Sequence, residues 1–348
     1  MRPSLSRPGR ARQRRVGGWC LGAALLCALL PRAAGAQAAP GDTASGTTPA
    51  EECCKELLFP LGGRIVALGR AVVADTAPDA VLFNPAGLVG LRHAFFEVHY
   101  RKLVADAQIV GISYVTRPYS FGTFALSYTL VDQGSIETAG TDPNAPTGET
   151  FRQVHEISAT FATALAAGVS SGVTYRVFVA NSPCNGCATG GASGTTQLID
   201  LGLQYHPRAV RGLAFGAALV NAGIPLQIVN YEQSDRTPVR ARVGATLEFM
   251  HLIQRDTTLS GTISGQLDAG GPDGMLPAVG AQVTVADVIS IRGGWHAEGA
   301  SAFGSLDSGA TLGVGLKLQR FSLSVARALA PAVLDSESPF QVTFGMSF

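Results

Sequence analysis

The sequence predicts an all-β protein, a transmembrane antiparallel β-barrel of about fourteen strands. Three observations carry that prediction. From about His93 to the C-terminus, apolar residues fall at every second position, the period of a strand with one face in an apolar medium and the other in water. The intervals between these segments alternate between long and short. Finally, after the extreme N-terminus no apolar stretch reaches the ~20 residues that a helix needs to cross a bilayer. Yet only 15% of the 348 residues are charged, 42 are glycine, and the mean hydropathy is positive.

The first element is an address. Arg2, Arg7, Arg10, Arg12, Arg14 and Arg15 precede an apolar stretch from Val16 to Leu30, and Ala34-Gly35-Ala36 offers small residues for cleavage. Residues 1–36 therefore read as a signal peptide. Its apolar core is too short for a membrane anchor. Seven of the 26 basic residues and none of the 25 acidic ones lie in it, so the mature chain carries a net charge of −6. Nucleic acid is not an expected partner of such a chain. Residues 37–56, rich in Ala, Gly, Thr and Pro at their start, read as a flexible leader.

The barrel is expected over 93–348. Its clearest strand runs from Thr237 to Phe249. Val239, Ala241, Val243, Ala245, Leu247 and Phe249 share one face, and Arg240, Arg242, Gly244, Thr246 and Glu248 share the other. Fourteen such segments are expected near 94–103, 106–116, 120–131, 151–165, 168–181, 195–207, 212–222, 237–250, 255–267, 276–286, 288–298, 307–318, 320–330 and 339–348. The connections 132–150, 182–194 and 223–236 are long, and those after even-numbered segments are short turns, the asymmetry of bacterial outer-membrane barrels. A soluble sandwich of this size would need two stacked domains and a linker. A solenoid would need a repeat. Neither is present in 94–348.

The last segment places Phe340, Val342, Phe344, Met346 and Phe348 on one face. A closing strand that ends in Phe is similar to the signal read by the outer-membrane barrel assembly machinery, which assigns that role to Phe344 and Phe348 here. Outer-membrane lipid and that machinery are the expected partners.

Ahead of the first strand, Pro60 to Leu91 contains a Gly-rich start, an Ala-Asp-Thr-Ala-Pro-Asp-Ala run and Phe83-Asn84-Pro85-Ala86-Gly87-Leu88. This segment resembles the N-terminal signature of the FadL-like β-barrel superfamily and, in its short form, looks most like the PorV/PorQ family. The resemblance implies that residues 57–92 fold inward as a luminal hatch, with Asn84, Pro85, Ala86, Asp75 and Asp79 as its motif. Turn chemistry agrees, because Pro fixes φ and lacks a donor, and a compact apolar segment can fill a lumen that fourteen strands leave wide. A helical cap on the periplasmic mouth is the alternative.

Nine charged residues fall on the predicted inward face: Glu97, Glu156, Arg176, Asp200, Arg240, Arg242, Glu248, Arg292 and Lys317. Their mixed signs suit paired contacts that hold a hatch, since unpaired buried charges are costly. A polar permeation path is the other use of such a set. Cys184-Asn185-Gly186-Cys187 lies in a loop and reads as a local disulfide in an oxidising compartment. Pairing of either with Cys53 or Cys54, free thiols and metal binding remain open. Gly168-Val169-Ser170-Ser171-Gly172 matches GxSxG but enters a strand, where a nucleophile elbow would need a strand-to-helix turn.

No cofactor and no catalytic residue are expected. The resemblance implies a PorV/PorQ-like component of protein secretion or cell-surface attachment, with secreted proteins as partners. The alternative is a FadL-like channel that takes up a small hydrophobic ligand. An outer-membrane hydrolase is a third and more distant reading.

Overall fold

A computed structural model describes residues 52–348, apart from 104–106, 140–145, 186–190, 229–233, 250–257, 272–273, 298–308 and 330–339. The expected signal peptide and most of the expected leader lie outside the described residues.

Fourteen strands form one closed antiparallel sheet. They are β1 Phe95–Lys102, β2 Gln108–Val115, β3 Thr123–Ala139, β4 Pro146–Ala166, β5 Val169–Ser182, β6 Ala192–Tyr205 and β7 Leu213–Gly223. The remainder are β8 Arg240–Glu248, β9 Leu259–Ala269, β10 Met275–Val285, β11 Ile289–His296, β12 Gly309–Leu318, β13 Phe321–Ala328 and β14 Phe340–Ser347. Each pairs with its sequence neighbours, and β1 pairs with β14 from Phe95–Ser347 to Arg101–Gln341. That last pairing removes both sheet edges, the condition for a sheet to span lipid. No helix among the described residues is long and apolar enough to cross a membrane.

The two faces separate as the alternation requires. Leu126, Val243, Ile291, Leu312, Val314 and Phe344 are exposed on the outside, Ile291 by 62%. Cross-strand pairs such as Ile291–Val314, Val314–Val325 and Leu323–Phe344 join them into a belt. A soluble monomer does not leave so wide an apolar surface in water. Inward neighbours such as Ser127, Ser158, Thr160 and Thr174 are buried.

The expected long connections are shorter than the sequence indicates. β3 and β4 continue pairing through Ser135–Phe151 to Ala139–Pro146, past a register shift at Asp132/Ser135 where Gly134 takes φ 74°. Cys184–Asn185 pairs with Glu149 and Thr150, and Leu226–Ile228 pairs with Ser234–Asp235 and with β6. These extensions carry no regular apolar alternation to read.

Residues 53–91 run inside the barrel as short turns: Lys55–Leu58, α1 (Gly63–Ala67), Pro78–Leu82 and Pro85–Leu88. Residues 53–56, expected as the end of the flexible leader, are part of it, with Cys53 and Cys54 buried. The inner segment touches the wall backbone to backbone. A Cβ at Gly216, Gly280 or Gly294 would strike the main chain of Val73, Leu68 or Gly69, and one at Gly202 would strike Asn84. Small inward residues therefore leave room for a second chain.

Gly216→Leu is expected to lower stability by about 1–3 kcal/mol through overpacking, read as a lower unfolding temperature of the bilayer-embedded barrel. Leu312→Arg on the lipid face is expected to cost about 2–4 kcal/mol in urea titration of refolding into lipid vesicles.

Candidate functional site: a layered lumen

The inner segment bonds to itself within short turns, and its remaining backbone polar groups need partners from the wall. Gln266 Oε1 accepts from Val73 N at 3.0 Å, and Gln204 Nε2 donates to Asp75 O at 2.8 Å. Thr343 Oγ1 accepts from Gly63 N at 2.8 Å, and Arg101 donates to Pro60 O at 2.6 Å. Sequence reading did not single out these four wall residues.

Asn84 organises the Asn-Pro-Ala turn. Its Oδ1 accepts from Ala86 N at 3.1 Å and its Nδ2 donates to Val73 O at 2.6 Å. Pro85 opens the following turn and Ala86 is fully buried. Asp75 and Asp79 converge on Arg64, which meets Asp75 at 2.6 Å and Asp79 at 2.7 Å. Thr246 donates to Asp75 at 2.6 Å and so ties this cluster to β8. Burial works against the Arg64 charge, but the two carboxylates outweigh it and hold the guanidinium above the ordinary arginine range. Arg64 was missed because a single Arg in a Gly-rich run carries no pattern. Its partners lie 11 and 15 residues away.

The nine inward charges take different places. Glu156, Arg176 and Asp200 form one cluster, with Arg176–Glu156 at 3.1 Å and Arg176 paired with Asp200. Arg240 reaches Glu52 at 2.8 Å. Arg242 lies 3.4 Å from Asp268 and stacks 3.9 Å over the Phe83 ring. Arg292 donates to Gln282 at 2.6 Å and to Ser324 at 3.2 Å. Glu97 and His99 face each other at 3.8 Å. Glu248 is half-buried, and Lys317 keeps the inward alternation of β12 but is exposed near the end of the strand. Thus Glu52, just ahead of the inner segment, and Phe83 within it each meet a wall arginine, whereas the Glu156–Arg176–Asp200 cluster joins three wall strands.

Phe344 and Phe348 are exposed on the outer face, and Phe348 N donates to Ala94 O at 2.9 Å. Ser170 of the GxSxG match donates to Ala86 O at 3.4 Å, a contact with the inner segment. Cys187 lies outside the described residues, and Cys184 pairs with Thr150 through its backbone. Cys53 and Cys54 are joined to each other by a disulfide. No group of three or more His, Cys, Asp or Glu side chains among the described residues is placed to hold a metal ion.

One layer was not expected at all. At the long-loop end of β2–β6 the inward residues are Ile109, Val131, Val154, Phe178 and Leu198, all buried, and Leu57 and Leu61 pack against them. Barrel interiors are ordinarily polar. A cavity of about 60 Å³ remains beside this layer, lined by Leu57, Phe59, Leu61, Val131, Val154 and Phe178 and also by the charged Glu56, Arg70, Glu156, Arg176 and Arg242. The available signal was a lapse in alternation: Ile109-Val110 and Val177-Phe178-Val179 are apolar on both faces.

A family model described as "Uncharacterised protein family (UPF0164)" matches residues 31–228. No curated protein matches the sequence. Among solved structures, the Pseudomonas putida toluene transporter TodX is similar at 12% identity and TM-score 0.54, over 82% of this chain and 96% of that one. The CymD monoaromatic hydrocarbon channel gives 12% and 0.55 over 83% and 97%. A Pseudomonas aeruginosa FadL homologue gives 12% and 0.51 over 83% and 98%. The likeness is one of fold, that of the FadL-like barrels.

Arg64→Met should destabilise the inner segment by about 3–5 kcal/mol, because it strands two carboxylates in the lumen. Faster amide hydrogen exchange over 62–88 in an intact barrel is the expected reading.

Proposed function

We propose a transport function for this chain, which belongs to the uncharacterised protein family UPF0164. It is a non-enzymatic barrel of the bacterial outer membrane that passes small hydrophobic molecules, and residues 53–91 are its hatch. The apolar layer of Ile109, Val131, Val154, Phe178 and Leu198 carries this reading. A water-filled pore has no use for such a lining, whereas an apolar solute must be desolvated somewhere along its route. The fold it shares with channels for toluene and other monoaromatic hydrocarbons supports the same reading.

The remaining cavity of about 60 Å³ is smaller than the ~150 Å³ space that holds benzene. This is therefore a closed state, and conduction requires the hatch to shift. The polar character of the hatch contacts suits that requirement, since each can be exchanged for water at modest net cost.

The filled lumen also favours a second reading, a PorV/PorQ-like barrel that docks secreted proteins and conducts nothing. Deleting the gene separates the two. Lost hydrocarbon uptake with an unchanged secreted proteome supports transport, and the converse supports docking. In proteoliposomes, the wild-type barrel is expected to raise toluene flux above protein-free vesicles. Phe178→Asp, which sets a carboxylate in the apolar layer, should cut that flux about tenfold or more.

A further inference from the structure

The small cavity beside the apolar layer has a neighbour. A second cavity of about 360 Å³ lies at the long-loop end, lined by Glu52, Cys53, Cys54, Gln133, Arg152 and Leu226 among others. Glu56 lines both cavities, so the turn Lys55–Leu58 is the partition between them. This partition is pinned around its rim. Cys53 N donates to Arg236 O at 2.9 Å, Glu52 pairs with Arg240, and Glu56 meets Arg152 at 2.9 Å and Gln133 at 2.8 Å.

The Cys53–Cys54 disulfide stands at the start of this turn and faces the outer cavity. Disulfides stabilise folds mainly by closing long loops of the unfolded chain. A bridge between adjacent residues closes none, so its effect is local. Here it holds Cys54 in the left-handed region, φ 58°, which non-glycine residues seldom adopt. From that geometry the Cys54 carbonyl accepts from Leu57 N at 2.9 Å and closes the turn.

We propose that Cys53–Cys54 is a redox-modifiable site that latches the partition between the outer cavity and the smaller cavity beside the apolar layer. Its co-substrate is a small thiol or dithiol that enters through the outer cavity. A thiolate of the dithiol attacks one cysteine sulfur, the Cys–Cys bond breaks, and a mixed disulfide forms. The second thiol of the reductant then attacks the reductant's own sulfur in that mixed disulfide and displaces the cysteine held there. Two electrons and two protons pass to Cys53 and Cys54, and the reductant leaves as its cyclic disulfide. Reduction frees Cys54 to leave the left-handed region, the turn loosens, and the two cavities join.

The inference rests on the channel reading, and two measurements keep the two apart. Full-length barrel in proteoliposomes is compared oxidised and after dithiothreitol, with Cys53→Ser/Cys54→Ser as a mimic of the reduced form. Amide hydrogen exchange over 53–61 should quicken about tenfold on reduction while the strands stay protected. Toluene flux should rise severalfold, and the serine variant should match the reduced protein without added thiol. Unchanged exchange over 53–61 overturns the latch, whatever the flux. Flux that is present but equal in oxidised and reduced protein overturns the gate and leaves the channel standing. Quickened exchange with no flux in either state sinks gate and channel together. Should the serine variant fail to insert, the comparison of oxidised with reduced wild type still decides.

Discussion

A wall that crosses lipid has to pair every backbone N–H and C=O within itself, and the β1–β14 register does this by leaving the sheet no edge. The rest of the structure depends on that closure. Fourteen strands enclose a space that their own inward side chains, mostly Gly, Ala, Ser and Thr, do not fill. Something else has to occupy it, and residues 53–91 are the nearest chain. The smallness of the inward residues and the presence of the inner segment are thus one fact. Gly216 and Gly294 leave no room for a Cβ because Val73 and Gly69 already stand there.

The inner segment is held by means unlike those of an ordinary core. It has one five-residue helix and several single turns, too little to satisfy its own peptide groups. Wall side chains from distant strands do so in its place: Gln204 from β6, Gln266 from β9, Thr343 from β14. Such bonds specify position more than they add stability, because each exchanges with water at a small net difference. Arg64, Asp75 and Asp79 give the segment a charged centre. Apolar contacts run along the segment: Leu57 and Leu61 meet Ile109, Val131, Val154 and Phe178 at the long-loop end, Val72 and Val73 cluster with Ala218 and Val220, and Val81 and Leu88 cluster with Val115 and Ala125.

Strand positions were legible wherever lipid lay on one side. Thr237–Phe249 and Thr311–Leu318 alternate because one face meets hydrocarbon and the other meets the lumen. Legibility failed where that contrast vanished. The β3–β4 hairpin beyond Asp132 has no apolar alternation and read as loop. The inward Ile109 and Phe178 stand beside outward apolar neighbours, and their position in the lumen was hidden by them. The Asn84-Pro85-Ala86 turn was legible as turn chemistry. Its partners in Val73 and the β5–β6 wall were not.

The amino-acid order by itself determined the period, the number of strands, the face taken by residues of the alternating segments, and the presence of a compact turn-rich segment before the first strand. These follow from local rules, since a side chain alternates with its immediate neighbours. Which inward residues stand level with one another was decided only in the folded barrel, by the register between strands. Register gathers Glu156, Arg176 and Asp200 from three strands into one cluster and sets Val131 beside Val154. No run of sequence contains those neighbourhoods, because they are made by hydrogen bonds between segments tens of residues apart.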